Sequence, residues 1–157
     1  MYGEAPESLV LRLAEAKAAQ VAELEPAALI IGSDQIAVLQ NKFLGKPGNY
    51  ESAFRQLSEI SGRSVRFLTG LCLLNSVTGK KQLACILNEV HFRQFSTAEI
   101  DRYLGSEEPY LCAGSFKSEA LGITLIEKID GPDPTALIGL PLIKLSEMLR
   151  NENYNLP

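Results

Sequence analysis

An aspartate, a few lysines and a glutamate are the residues of this chain whose settings could do chemistry. Asp34 comes just after the apolar run AALII at 27–31, through Gly32-Ser33. A carboxylate leaving an apolar strand stands where α/β proteins usually bind ligands. It can ligate a metal or take a proton from water, though turns and helix caps also use aspartate. Lys46 lies between Gly45 and Pro47, where an open backbone lets an ammonium reach an anion. Lys17 falls among the apolar residues Val10, Leu13, Val21 and Leu24. At about 100° per residue it lies within roughly 40° of each, on the face expected to turn inward, so it must snorkel out or meet an anion. Lys117 and Glu119 sit in the small-residue stretch AGSFKSE at 113–119. They could select a base edge or pair with each other. An acid after a buried strand, with cations that could converge on it, suggests phosphate-ester or phosphoanhydride chemistry with a divalent metal. No Walker loop, GxSxG elbow or HExxH helix is present to support another mechanism.

The elements that must position these residues follow from periodicity. Residues 8–24 read as an amphipathic helix and 27–31 as a strand buried on both faces that stops at Gly32-Ser33-Asp34-Gln35. A hairpin follows, 36–39 returning at Phe43-Leu44. Asn49 can cap a helix with Tyr50, Ala53, Phe54, Leu57 and Ile60 on one side and Gly62 as its stop. Residues 65–74 and 83–95 read as long strands joined through Thr78-Gly79, and Ser96-Thr97-Ala98-Glu99 as a capping box before a short helix. A last strand is expected at 123–129. Pro141 opens a closing helix with Leu142, Leu145, Met148 and Leu149 inward. Interspersed strands and helices of this kind predict an α/β fold, a mixed β-sheet flanked by helices.

With 157 residues, 46% hydrophobic and 22% charged, the chain reads as a single domain over 1–157. The formal charge of −4 argues against a nucleic-acid surface, while a small anionic ligand needs only a few local cations. No apolar run approaches a membrane span, and the opening MYGEAPES has no signal-peptide pattern, so a cytoplasmic protein is expected. Cys72, Cys85 and Cys112 form no CxxC pair and read as free thiols. His91, the only histidine, reads as a strand residue.

Blocks along nearly the whole chain carry a resemblance: LVLRLAEAKA (9–18), LIIGSDQIAVL (29–39), GKP (45–47), FLTGLCLLNS (67–76), VHFRQFSTAEIDRYL (90–104), CAGSFKSEALGITLIEKIDGPDP (112–134) and LIGLPLIKLSEML (137–149). In this order they resemble the Maf-like nucleotide pyrophosphatases, an inosine-triphosphatase-like fold. The resemblance implies cleavage of a nucleoside triphosphate to the monophosphate and pyrophosphate with a divalent cation, Mg or Mn. It makes Asp34 the catalytic acid that activates water and holds the metal, and makes Lys17 and Lys46 phosphate-binding lysines. Gln35 and Glu119 resemble the specificity positions of the branch that prefers 7-methyl-GTP, where the pyrimidine-preferring branch tends to carry Thr and a GxQG segment. A carboxylate such as Glu119 suits a cationic N7-methylated purine.

Members of that family begin with a strand and a loop of S-x-S-x-R-R type ahead of the block that opens this chain. The resemblance therefore implies a fold lacking the first strand and loop, with an open sheet edge prone to homodimerisation and a weakened grip on the triphosphate. The runner-up expectation is a catalytically impaired, truncated nucleotide-binding or dimer-partner protein. The expected partner is a nucleoside triphosphate, with neither nucleic acid nor membrane.

Overall fold

The structure is a computed structural model describing residues 3–157; of the opening octapeptide, Met1 and Tyr2 lie outside the described residues. The elements run α1 (Pro6–Ala22), β1 (Leu29–Leu39), β2 (Lys42–Leu44), α2 (Tyr50–Ile60), β3 (Ser64–Asn75), β4 (Lys81–Phe92), α3 (Thr97–Glu107), β5 (Ile126–Asp130) and α4 (Leu142–Asn151). Short 3₁₀ turns occupy Ala113–Ser115, Leu121–Leu125 and Pro134–Ile138. The five-stranded sheet has the order β2-β1-β3-β4-β5, which bears out the α/β fold with one sheet and flanking helices. Neighbouring strands run antiparallel. β2 pairs with β1 from Ala37↔Leu44 to Leu39↔Lys42, and β5 with β4 from Glu89↔Asp130. Along β1 and β3, Ala28 meets Ser76, Ser33 meets Gly70 and Gln35 meets Thr69, so one strand ascends as the other descends. Since β2 pairs only with Ala37, Val38 and Leu39, residues 29–36 of β1 have no strand beside them on that side among the described residues.

The chain divides into two compact units, one of residues 3–35, 68–87 and 132–157, the other of 36–67 and 88–131. In the first, alternate residues of β1 and β3 point to opposite faces. Ile30 and Cys72 pack with Ala14 and Ala18 of α1, while Leu71 and Leu73 pack with Leu145 and Met148 of α4. The buried face of α1 is Val10, Ala14 and Ala18, not the stripe expected from Val10, Leu13, Val21 and Leu24; Val21 is 44% and Leu24 79% exposed. The cause is two glycines of the sheet. A Cβ added at Gly32 would lie 2.2 Å from the Ala14 carbonyl oxygen, and one at Gly70 2.3 Å from that of Val10. The helix backbone therefore rests on the strands at a distance only small side chains allow.

A second correction concerns β1. It does not stop at Gly32-Ser33-Asp34-Gln35 but runs through it, and Ile31 is exposed rather than buried on both faces. Asp34 is thus inside a strand rather than at its end. The polar run is compatible with a strand because Ser33 and Gln35 find hydrogen-bond partners, described below. The remaining boundaries shift modestly. Residues 121–125 form a 3₁₀ turn, so the last strand begins at Ile126, and Leu142 of α4 is exposed.

The second unit is organised by local signals and an aromatic core. Asn49 accepts from Ser52 N at the start of α2, and Ser96 with Glu99 completes the capping box of α3. Phe116 packs against Phe67 and Phe92, with ring centroids 5.6 and 5.1 Å away. His91 is a satisfied strand histidine: Nδ1 lies 2.7 Å from Ser64 Oγ and Nε2 2.9 Å from Asp130 Oδ2. All the cysteines are free. No helix among the described residues is long and apolar enough to cross a membrane.

Candidate active site

In the first unit α1 brings Lys17 to Asp34. Asp34 shares the face of β1 that carries Gly32, so the close seat of α1 on that glycine sets its lysine beside the carboxylate. Lys17 Nζ donates to Asp34 Oδ1 at 2.6 Å and to the Ser33 carbonyl at 2.9 Å. The lysine side chain is 55% exposed and that of Asp34 21%, so the pair opens to water. Asp34 Oδ2 takes no hydrogen bond among the described residues. Such an arrangement presents one carboxylate oxygen without a hydrogen bond among the described residues beside an exposed cation. It can accept a proton from water or share a metal with a ligand.

Gln35 points the other way. Its amide nitrogen lies 3.0 Å from Thr69 Oγ1, 2.7 Å from the Ala136 carbonyl and 3.2 Å from that of Leu137. Ser33, on the same face, sets its Oγ 2.8 and 2.7 Å from the carbonyl oxygens of Gly70 and Gly139, which share its one O–H. The turn these residues grip is fixed at its start by buried Asp133. Its Oδ1 accepts from Thr135 N and Oγ1, and its Oδ2 from Ile143 N in the first turn of α4. Sequence reasoning missed Ser33, Thr69 and Asp133. The Asp-Pro-Thr order at 133–135 is the one signal that pointed to a cap there.

Lys46 and Glu119 belong to the second unit, on segments tied to each other. Gly45 O accepts from Gln56 Nε2 at 3.0 Å and from Gly114 N at 3.3 Å, and Ser115 Oγ donates to Gln56 Oε1 at 2.6 Å. Gly48 N, on the far side of Lys46, donates to Tyr110 O at 2.9 Å. Gly114 and Ser115 both have positive φ, 67° and 57°; a Cβ at Gly114 would press on Ala37 at 3.4 Å. Tyr103 hydroxyl donates to Ser115 O and accepts from Lys117 N, and burial pushes its phenol pKa well up, keeping it a neutral donor. Lys117 turns back to Glu107, donating to its carbonyl at 3.0 Å with the carboxylate at 3.8 Å, so it does not pair with Glu119. Glu119 is exposed and touches only the Ser118 hydroxyl, at 3.5 Å. Lys46 makes no hydrogen bond or ion pair among the described residues. Cys112 lies within electrostatic reach of both. Burial raises its thiol pKa, Lys117 and Lys46 oppose the rise, and Glu119 and Glu107 add to it.

The structure is thus an α/β protein with one carboxylate–lysine pair where α1 meets β1 and an uncommitted lysine and glutamate on linked loops. The chain matches the Maf-like protein family over residues 2–152, and it belongs to that family. Among curated proteins it is 54% identical over 154 residues to the 7-methyl-GTP pyrophosphatase of Alcanivorax borkumensis, an overlap covering 98% of this chain and 78% of that one. The protein of the same name from Pseudomonas fluorescens strain Pf0-1 is 54% identical over 149 residues, 95% of this chain and 78% of the relative. That of Nitrosococcus oceani is 52% identical over 151 residues, 96% and 76%.

Proposed function

We propose that this protein is a nucleoside triphosphate pyrophosphatase that hydrolyses 7-methyl-GTP to the monophosphate and pyrophosphate. The observation that carries the reading is the family match together with relatives above 50% identity that bear that enzyme name. The geometry supports it. Asp34 Oδ2 takes the proton of the attacking water while Lys17 holds Oδ1 and keeps the strand carbonyl and carboxylate in register. The water oxygen bonds to the α-phosphorus, the α–β bridging bond breaks, and pyrophosphate leaves. Lys46, with no hydrogen-bond or ion-pair partner among the described residues, meets phosphate oxygens as a point charge. Glu119, exposed and touching only the Ser118 hydroxyl among the described residues, reads the base edge and favours its positive charge.

A divalent cation, Mg or Mn, belongs to this proposal. Among the described residues no cluster of His, Cys, Asp or Glu side chains could hold an ion by itself. Magnesium-like ions commonly take one or two carboxylates with substrate phosphates, and the Asp34 carboxylate would supply such a contact. When bound, such an ion neutralises charge developing on the phosphates. A homodimer and a cytoplasmic location are also proposed, the former because residues 29–36 of β1 have no strand beside them on one side among the described residues. The test is pyrophosphate release from 7-methyl-GTP, UTP and dTTP with Mg²⁺ or Mn²⁺. Release favouring 7-methyl-GTP is expected; a preference for UTP overturns the substrate assignment, and no release from any of them overturns the activity. Sedimentation velocity tests the dimer.

A further inference from the structure

Two arginines of the second unit line one small pocket, and neither belongs to the groups proposed for catalysis. Arg93 follows β4 and Arg102 lies on α3, while the Leu121–Leu125 turn adds Leu121, Thr124 and Leu125 to the wall. Glu99, Arg102, Tyr103 and Ser106 stand at i, i+3, i+4 and i+7 of α3, so one stripe of the helix faces the pocket. Arg93 is held at several points. Its Nε donates to Thr124 O at 2.7 Å and its Nη1 to Gln94 O at 3.1 Å, with Glu99 Oε1 2.9 Å from Nη1. A guanidinium is planar, so these contacts also fix Nη2, which has no hydrogen bond among the described residues. Arg102 is exposed, and its guanidinium has no hydrogen bond or ion pair among the described residues. The acids nearest to it in sequence are committed elsewhere. Glu99 accepts from Ser96 N and Oγ besides pairing with Arg93, Asp101 accepts from the Tyr50 hydroxyl, and Glu107 accepts from Leu121 N. Two guanidiniums thus line the pocket against one carboxylate, in a chain of net charge −4.

We propose that this pocket binds a small phosphate-class anion, inorganic phosphate or pyrophosphate, between Arg93 and Arg102. The site goes beyond the pyrophosphatase reading and does not depend on it. Arginine forks meet oxyanions through paired N–H bonds, and a tetrahedral phosphate offers a separate edge to each fork, whereas a planar carboxylate has a single edge of two oxygens. The pocket volume of about 190 Å³ lies below the roughly 300 Å³ at which pockets for drug-sized ligands begin, so it suits an ion rather than a whole nucleotide. Ser106 and Thr124 donate their hydroxyls to Arg102 O and Leu121 O, which leaves the guanidiniums as the donors at hand. Buried Tyr103 and Leu125 line the pocket with carbon, the Tyr103 hydroxyl being engaged with Ser115 and Lys117. Walls of that kind strengthen a charge-assisted hydrogen bond.

The experiment is an amide NMR titration of the full chain with inorganic phosphate and, separately, with pyrophosphate, at constant ionic strength. Saturable shifts are expected at residues 102–106 and 121–125 with either anion, and acetate should bind there at least about tenfold more weakly. Arg102→Gln removes no hydrogen bond or ion pair of the described fold, so it should keep the wild-type spectrum elsewhere. It should weaken both phosphate species at these amides about tenfold or more. Arg102→Lys, which keeps the charge without the fork, should fall between the two. Lys46→Met should leave these shifts unchanged, which separates the pocket from phosphate held beside Lys46. Unaltered phosphate affinity in Arg102→Gln overturns the proposal. So do shifts of the same size with acetate or sodium chloride, and so does loss of the shifts in Lys46→Met.

Discussion

The two units carry their chemical groups in different ways. Around Asp34 the structure is interlocked. α1 sits on Gly32 and Gly70 with no room for a methyl, Lys17 is spent on the carboxylate, and Ser33 and Gln35 are spent on the 134–139 segment. Around Lys46 and Glu119 the backbone is stitched by side chains, Gln56, Ser115 and Tyr103, while among the described residues neither charged group is held in an ion pair. The difference matches what the proposed function asks of each. A general base has to be held within a fraction of an ångström of its productive place, which strands and helices achieve better than loops. Groups that receive a ligand must instead arrive without internal partners, since an internal ion pair would have to be broken first.

The comparison breaks most visibly at Asp34. Asp34→Asn keeps the shape and removes the charge, so pyrophosphate release should fall by about 10³-fold, within the range of general acid–base effects. Its thermal midpoint should stay within a few degrees of wild type. If the variant retains wild-type turnover, the interlocked region is a structural device and the base lies elsewhere.

Much of this was legible before the structure. Helices α2 and α3 were readable because their start signals are local: Asn49 reaches Ser52, and Ser96 and Glu99 reach each other. The β3–β4 hairpin was readable through Thr78-Gly79, where Gly79 has φ 71°. Two features were not. The continuation of β1 through Ser33 and Gln35 depends on carbonyls about a hundred residues later, which no local window contains. The inward face of α1 departs from that stripe because hydrophobic periodicity assumes burial is by size, whereas the close seat on Gly32 faces Ala14 and Ala18. Of the site residues, Lys17, Asp34, Lys46 and Glu119 stand out by their settings in the sequence, and Gln35 by its motif block. Their orientation, above all that of Gln35, does not.

A second difference between the regions is tolerance of a single methyl group. Gly32→Ala forces a Cβ to 2.2 Å from a carbonyl oxygen of α1, whereas a Cβ at Gly45, beside Lys46, meets nothing within 4 Å. Overpacking of this kind should cost about 3 kcal/mol in urea unfolding, and Gly45→Ala less than about 0.5 kcal/mol. Equal losses would mean that α1 can lift from the sheet, and the rigidity assigned to the Asp34 region would be wrong.

The free charges give a smaller effect of a different kind. Lys46→Met should raise KM for the nucleotide about tenfold, worth about 1.4 kcal/mol, with kcat nearly unchanged, because a phosphate contact made before and during reaction is uniform binding. The rise should shrink in high salt, as expected for an exposed cation. A fall in kcat at constant KM would place Lys46 with the chemistry and erase the contrast with Asp34.

The smallest effect tests whether the second unit depends on local caps. Glu99 is held down to about 2 from 4.5, first by the backbone amide of Ser96, then by the Ser96 hydroxyl and by Arg93. A carboxylate whose pKa is lower in the folded chain binds fewer protons there than when unfolded. Its contribution is therefore present above about pH 4.5 and is lost as pH falls through about 2. The urea midpoint of wild type should exceed that of Glu99→Gln at neutral pH by a small margin, since the group is exposed and screened. That margin should close between pH 4.5 and 2. The deficit of Gly32→Ala, being steric, should show no such pH dependence of its own. A Glu99→Gln margin that persists at pH 2 would mean that the cap acts by shape alone, and both units would then be held by packing rather than one by packing and one by placed charge.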